Sequence, residues 1–216
     1  MRNLCVGLRI GSLLIASAAL LLPTTGCIQM AAVWANWTGG DVVEPQFELT
    51  KGSLLILVED RRGVVTQPLA LRKVHKTLCE KFVEYKVNKK VVPLETCERL
   101  QRTEKAYEKL SVRQIGEKLG AEQVLYIIAE RFSLQTEPGA PLFKGEFVAR
   151  VKVLTTESIG DNRLWPREPS GRRIAVTTHP IPADGDKKAS DVADELATKL
   201  GEAVAKMFYQ HRELDD

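Results

Sequence analysis

Apolar positions along the chain change their period several times, and each change marks an element. From Leu54 the run LLILV is apolar without interruption, between Gly52 and the charged cluster Glu59, Asp60, Arg61 and Arg62. A strand covered on both faces reads this way, so a central or parallel strand is expected there. After Pro68 the period becomes helical, with Leu71, Val74, Leu78, Phe82 and Tyr85 three or four residues apart. That spacing predicts an amphipathic helix opened by proline. Val91 and Val92, stopped by Pro93, predict a second strand, which the right-handed crossover rule makes parallel to the first.

Residues 94–110, LETCERLQRTEKAYEKL, predict a charged helix. The next helix begins at Ser111, where Ser111 and Gln114 have capping-box spacing, and stops at Gly120. The segment QVLYIIAERFSL is apolar through its first half and alternates in its second, as a strand does that starts deep in a sheet and emerges. Beyond the turn residues Pro138, Gly139 and Pro141, EFVARVKVL alternates Phe147, Ala149, Val151 and Val153 against Val148, Arg150 and Lys152, which predicts an antiparallel hairpin. RRIAVTTH resumes the alternation after a loop WPREPSGRR. A closing helix aligns Val192, Leu196, Leu200, Val204, Met207 and Phe208 on one face, with Ser190 as its cap. The order β-α-β-α-β-β-β-α, without repeats, predicts an α/β fold of the α+β sandwich kind, with helices packed on a mixed sheet.

The start of the chain has another organisation. Arg2 and Arg9 precede an apolar core, Ile10 to Leu22, and then LLPTTGC ends at Gly26 and Cys27. A membrane-crossing helix needs roughly 20 residues, so this 13-residue core reads as a signal peptide. The segment resembles a bacterial lipoprotein signal, in which cleavage after a small residue exposes a cysteine for acylation. The resemblance implies residues 1–26 as signal and 27–50 as a lipid-anchored tether, leaving 51–216 as a single periplasmic domain. Cys27 would carry the lipid. Ile28, rather than Asp, after the cysteine goes with export to the outer membrane. Trp34 and Trp37 in the tether suit the headgroup level or a contact with the domain.

Composition adds one exclusion. The formal charge is +3, and loss of Arg2 and Arg9 leaves 29 basic residues against 28 acidic, so bulk charge gives no reason to expect nucleic-acid binding.

The lipoprotein start, the element order from Leu54 to Tyr209 and the junction IGEKLGAEQVLYI together resemble the periplasmic α/β domain shared by the N-terminal part of TolB, the curli secretion lipoprotein and lipoprotein activators of penicillin-binding proteins. That resemblance brings no catalytic residues. It implies a non-catalytic adapter or an auxiliary lipoprotein of a transport or secretion complex, bound to another envelope protein.

Candidate chemistry is sparse. Cys79 and Cys97 allow a disulfide in an oxidising compartment, or stay as buried free thiols. His75 lies four residues before Cys79, but no CxxC or HExxH completes a metal set, so neither metal nor cofactor is expected. His179 and His211 stand apart in sequence, and GxSxG is missing, which counts against a periplasmic hydrolase, the competing class. Glu59 to Gly63, EDRRG, follows the first strand at its carboxyl end, where open α/β sheets bind ligands; it is either a self-compensating turn or a docking edge. The loop from Asn162 to Arg173 joins Trp165 with Arg163, Arg167, Arg172 and Arg173, the residue types enriched at binding hot spots. It reads as a site for an anionic glycan or a protein partner, or as an anchor with solvated arginines around it.

Overall fold

A computed structural model describes residues 41–135, 141–157, 160–182 and 188–213. The signal, Cys27, Trp34, Trp37, Pro138 and Gly139 lie outside the described residues. Two compact units are distinguished. The described part of the smaller one is a two-residue antiparallel ladder, β1 (Val42–Val43) against β9 (His211–Arg212). The larger unit runs from Glu44 to Gln210.

That unit is a mixed α/β sandwich. Its sheet takes β2 (Leu54–Glu59), β3 (Gln123–Ser133), β5 (Glu146–Thr155), β6 (Arg163–Trp165) and β7 (Arg172–Thr177), in the order β2-β3-β5-β6 with β7 also on β5. β2 and β3 are parallel, from Leu54 beside Gln123 to Glu59 beside Ile128. β3 and β5 form the expected antiparallel pair, with a bulge between Ala129 and Arg131. A short ladder joins β4 (Leu142–Phe143) to β8 (Ile181–Pro182).

Alternation along the strands sorts side chains to two cores. Leu54, Ile56, Leu125, Ile127, Phe147, Ala149 and Val151 meet α1 (Leu69–Glu84) and α4 (Ala189–Lys206) on one face. Leu55, Leu57, Val124 and Tyr126 meet α2 (Leu94–Thr103), a 3-10 turn (Tyr107–Lys109) and α3 (Val112–Lys118) on the other. Cross-strand pairs Arg150 with Glu130 and Arg131 with Glu146 occupy the second face further along β3 and β5.

α1 and α4 approach closely because α4 turns Ala193, Ala197, Gly201 and Ala205 inward. A Cβ on Gly201 would stand 2.8 Å from the Thr77 Cβ and 3.2 Å from the Val74 carbonyl oxygen. Backbone on one side leaves the crossing little room to relax. Gly201→Val is therefore expected to cost about 1–3 kcal/mol, read from the urea midpoint.

Four local expectations change. Val91 makes one parallel bridge to Leu54 and no strand, since Pro93 has no N–H to continue a ladder. The charged helix stops at Thr103, where Glu104 turns extended, and its continuation is the 3-10 turn. α4 starts one residue before Ser190: Lys188 is the cap, and its N–H donates to Asp191 Oδ2 at 2.9 Å. The domain also begins earlier than Lys51, because Leu49 is buried in the first core and the Gln46 N–H donates to the Met207 carbonyl at 2.8 Å. The Ser111 capping box and the left-handed Gly120, φ 67°, are as the sequence predicts.

Candidate functional site

The loop after β2 is organised by one carboxylate. Asp60 Oδ1 accepts the N–H groups of Arg62 at 3.2 Å and Val64 at 3.0 Å, and Oδ2 accepts that of Val65 at 2.7 Å. Gly63 supplies the positive φ of 65° that closes the turn. Glu59 faces back to the sheet, where its Oε2 accepts the Tyr126 hydroxyl and the Arg61 Nε–H, each at 2.8 Å. The Arg61 guanidinium also lies 5.6 Å from the Tyr126 ring centre. EDRRG is thus a turn with its first three charges fixed, while Arg62 is exposed.

This turn ends a cleft of about 820 Å³ that runs along β2 between α1 and α2. The Arg72 Nη2 of α1 and the Glu98 Oε1 of α2 meet across it at 2.8 Å. Pro68 and Leu71 form one wall; Leu94, Cys97, Leu110 and Ile115 contribute the apolar part of the other. Such a concave site with a few fixed polar groups is where ligand binding is looked for first.

Burial biases the histidine, the thiols and the phenols in and beside the cleft towards their neutral forms. His75 is 6% exposed, and burial lowers its pKa against the opposite pull of Glu95 and Glu98. Burial raises the Cys97 thiol, which a hydrogen bond with Tyr107 partly offsets. Tyr126 and Tyr107 are likewise raised, first by burial and then by the negative groups beside them. Cys79 lies 3.6 Å from His75 Nδ1, and burial pushes its thiol up to about 11. At pH 8 the group is thus held as the unreactive thiol. Iodoacetamide should therefore label Cys79 slowly in the native protein and rapidly in urea. Because the folded chain holds this proton above the ordinary thiol value, its contribution to stability should be lost as pH rises from about 9 towards 11.

Of the two alternatives left open for the cysteines, the structure has the free thiols. Cys79 and Cys97 are both free; Cys97 belongs to the second core, whereas Cys79 packs against the first. Among the described residues no group of His, Cys, Asp and Glu is arranged to hold a metal ion.

Trp165 departs from the sequence reading in its element and agrees with the anchoring alternative. It is on strand β6 rather than in a loop, half-buried against the first core, with its ring 5.8 Å from Phe208 and 6.4 Å from Phe47. The strand is short and flanked by turns, so alternation had too few residues in which to show. The four arginines are divided. Arg163 pairs in register with Leu154 and bonds Asp161 at 2.7 Å. Arg173 stands opposite Arg150 in β5, Arg172 opposite Val151, and Arg167 lies in the turn between β6 and β7. A partner touching all five residues would have to reach round the sheet edge. The cleft residues Arg72, Glu98 and Tyr107, and Tyr126, which bonds Glu59 at the cleft's end, were not singled out from sequence; the hydroxyl of Tyr126 inside the apolar run VLYII was the one available signal.

No family model and no curated protein matches the chain. Solved structures with a similar chain path include a PelC dodecamer from Paraburkholderia phytofirmans, at 12% identity and TM-score 0.40 over 79% of this chain and 99% of that one. Lipoprotein GNA1162 from Neisseria meningitidis is similar at 12% identity and TM-score 0.42, over 72% and 99%. The hypothetical protein CT253 from Chlamydia trachomatis is similar at 10% identity and TM-score 0.41, over 73% and 98%. At these values the likeness carries no functional inference.

Proposed function

We propose that the chain is a lipid-anchored envelope protein whose α/β domain is a non-catalytic adapter for another envelope component. The observation that carries the anchor is the sequence LLPTTGC, a 13-residue apolar core closed by a small residue before Cys27. Ile28 favours the periplasmic face of the outer membrane, and the resemblance to the domain of TolB and the curli secretion lipoprotein rests on the sequence pattern given above. No helix among the described residues is long and apolar enough to cross a membrane. Binding is favoured over turnover by the state of the cleft: the Cys97 thiol and the Tyr107 phenol are pushed towards protonation, and Arg61 and Arg72 are engaged by Glu59 and Glu98. A tether would raise the effective concentration of the domain towards partners at the same membrane.

Intact mass and detergent partitioning of the full chain in a Gram-negative host, beside Cys27→Ser, test the anchor. The wild type should carry an acyl mass and enter the detergent phase, and the variant should do neither. Equal masses for both chains, without lipid, would remove the anchor.

A further inference from the structure

We infer that the cleft is the empty place of one more strand, and that it takes an extended, uncharged segment of a partner polypeptide by strand addition to the free edge of β2. The inference rests on the adapter reading only in taking the occupant to be a protein.

The edge follows from the hydrogen bonds. Leu54 donates its N–H to the Lys90 carbonyl at 3.0 Å and accepts from the Val92 N–H at 2.8 Å, so its backbone groups point away from β3. Ser53 points the other way, its carbonyl taking the Glu122 N–H at 2.8 Å. Backbone direction alternates along a strand, so Leu55 and Leu57 pair with β3 while Ile56 and Val58 repeat the direction of Leu54. Beyond Leu54 nothing pairs with them: among the described residues the only neighbour on this side is the single bridge at Val91. The chain leaves at Pro93 and turns into α2.

Four main-chain groups, the N–H and C=O of Ile56 and of Val58, therefore point to this side without a main-chain partner among the described residues. Ile56 is 1% exposed. Backbone polar groups in so enclosed a place need partners. The cleft is lined by β2 from Ile56 to Glu59 and by α1 and α2, which pack on opposite faces of the sheet. The stretch from Ile56 to Glu59 is about 10–13 Å long at the rise of a strand, room for roughly four added residues. Specificity in this mode comes from alternate side chains entering pockets on the two sides. Here one side is walled by Pro68 and Leu71 and the other by Leu94 and Ile115. The wall charges Arg72 and Glu98 already satisfy each other, as do Arg61 and Glu59, so an entering charge would be desolvated without a partner.

The test uses the full chain and a synthetic decapeptide obtained by panning a random display library on it, with residue-resolved amide exchange as the readout. In the free chain, Ile56 and Val58 should exchange much faster than Leu55 and Leu57. Bound peptide should slow Ile56 and Val58 by about tenfold or more and leave Leu55 and Leu57 unchanged. Val58→Pro removes an edge donor without taking a bond from β3, and should weaken the peptide about tenfold or more while leaving the thermal midpoint close to wild type. Gln101→Trp, at the cleft rim, should block the peptide as well and guards against a misfolded proline variant.

Equal protection of all four amides in the free chain would overturn the inference. So would a library without binders, or a peptide that leaves Ile56 and Val58 unprotected. A dimer that dissociates on Val58→Pro would assign the edge to a second copy and overturn the choice of partner. These results are independent of Cys27 acylation, and a failed anchor would not alter them.

Discussion

Phe82→Ala is expected to lower stability by about 3–5 kcal/mol. Phe82 is fully buried on α1, and its ring meets that of Phe208 edge-on at 6.0 Å and 86°. It sits where α1 and α4 cross over the sheet, and the nearby crossing at Gly201 is held by backbone contact that cannot close around a void. The loss should therefore contain the cavity as well as the transfer of the ring. Urea unfolding of the variant beside Phe82→Leu tests this, since leucine keeps most of the volume and should restore most of the stability. A loss below about 1 kcal/mol for alanine would mean that the helix pair collapses freely and is not the rigid centre described above.

Asn88→Ala is expected to cost about 2–4 kcal/mol. Asn88 is 2% exposed; its amide nitrogen donates to the Thr50 carbonyl at 2.6 Å and the Gly52 carbonyl at 3.0 Å, and its Oδ1 accepts the Lys90 N–H at 2.6 Å. One side chain thus ties the approach to β2 to the segment after α1 and sets up the bridge at Val91. Alanine takes the bonds from two carbonyls and an N–H in a partly buried place. Asn88→Asp separates this account from a simple loss of packing: it keeps the acceptor for Lys90 but turns a carboxylate towards two carbonyls, so at neutral pH it should be at least as destabilising as alanine. An aspartate variant as stable as wild type would refute the account.

What the sequence made legible were the elements whose period is long enough to count. LLILV, the helix from Leu69, the strand beginning VLYII, its partner EFVARVKVL and the closing helix all stand where their periods put them. Caps written in local chemistry, Ser111 with Gln114 and then Gly120, were legible for the same reason. Three things were not. β6 is three residues long, and no period shows in three residues. The Val91 strand fails because a single proline outweighs two β-branched residues. The cleft joins residues from β2, α1, α2 and the 3-10 turn, and no spacing in sequence announces that Arg72 will meet Glu98 or that Tyr126 will bond Glu59. EDRRG was noticed because it follows a strand, but its role as one end of that cleft depends on helices that arrive later in the chain.

The parallel pairing of β2 with β3 bears on the order in which the molecule assembles. β3, β6 and β7 all pair antiparallel with β5 and lie close to it along the chain, so these four can zip together soon after they are made. β2 is synthesised before all of them, yet its partner comes only after three helices have passed, and closing so long a loop is slow relative to local pairing. During that wait LLILV is an unpaired apolar strand on a growing chain. The fold thus places its most adhesive segment first and its shelter last, and the interval between them is when this protein most needs a chaperone.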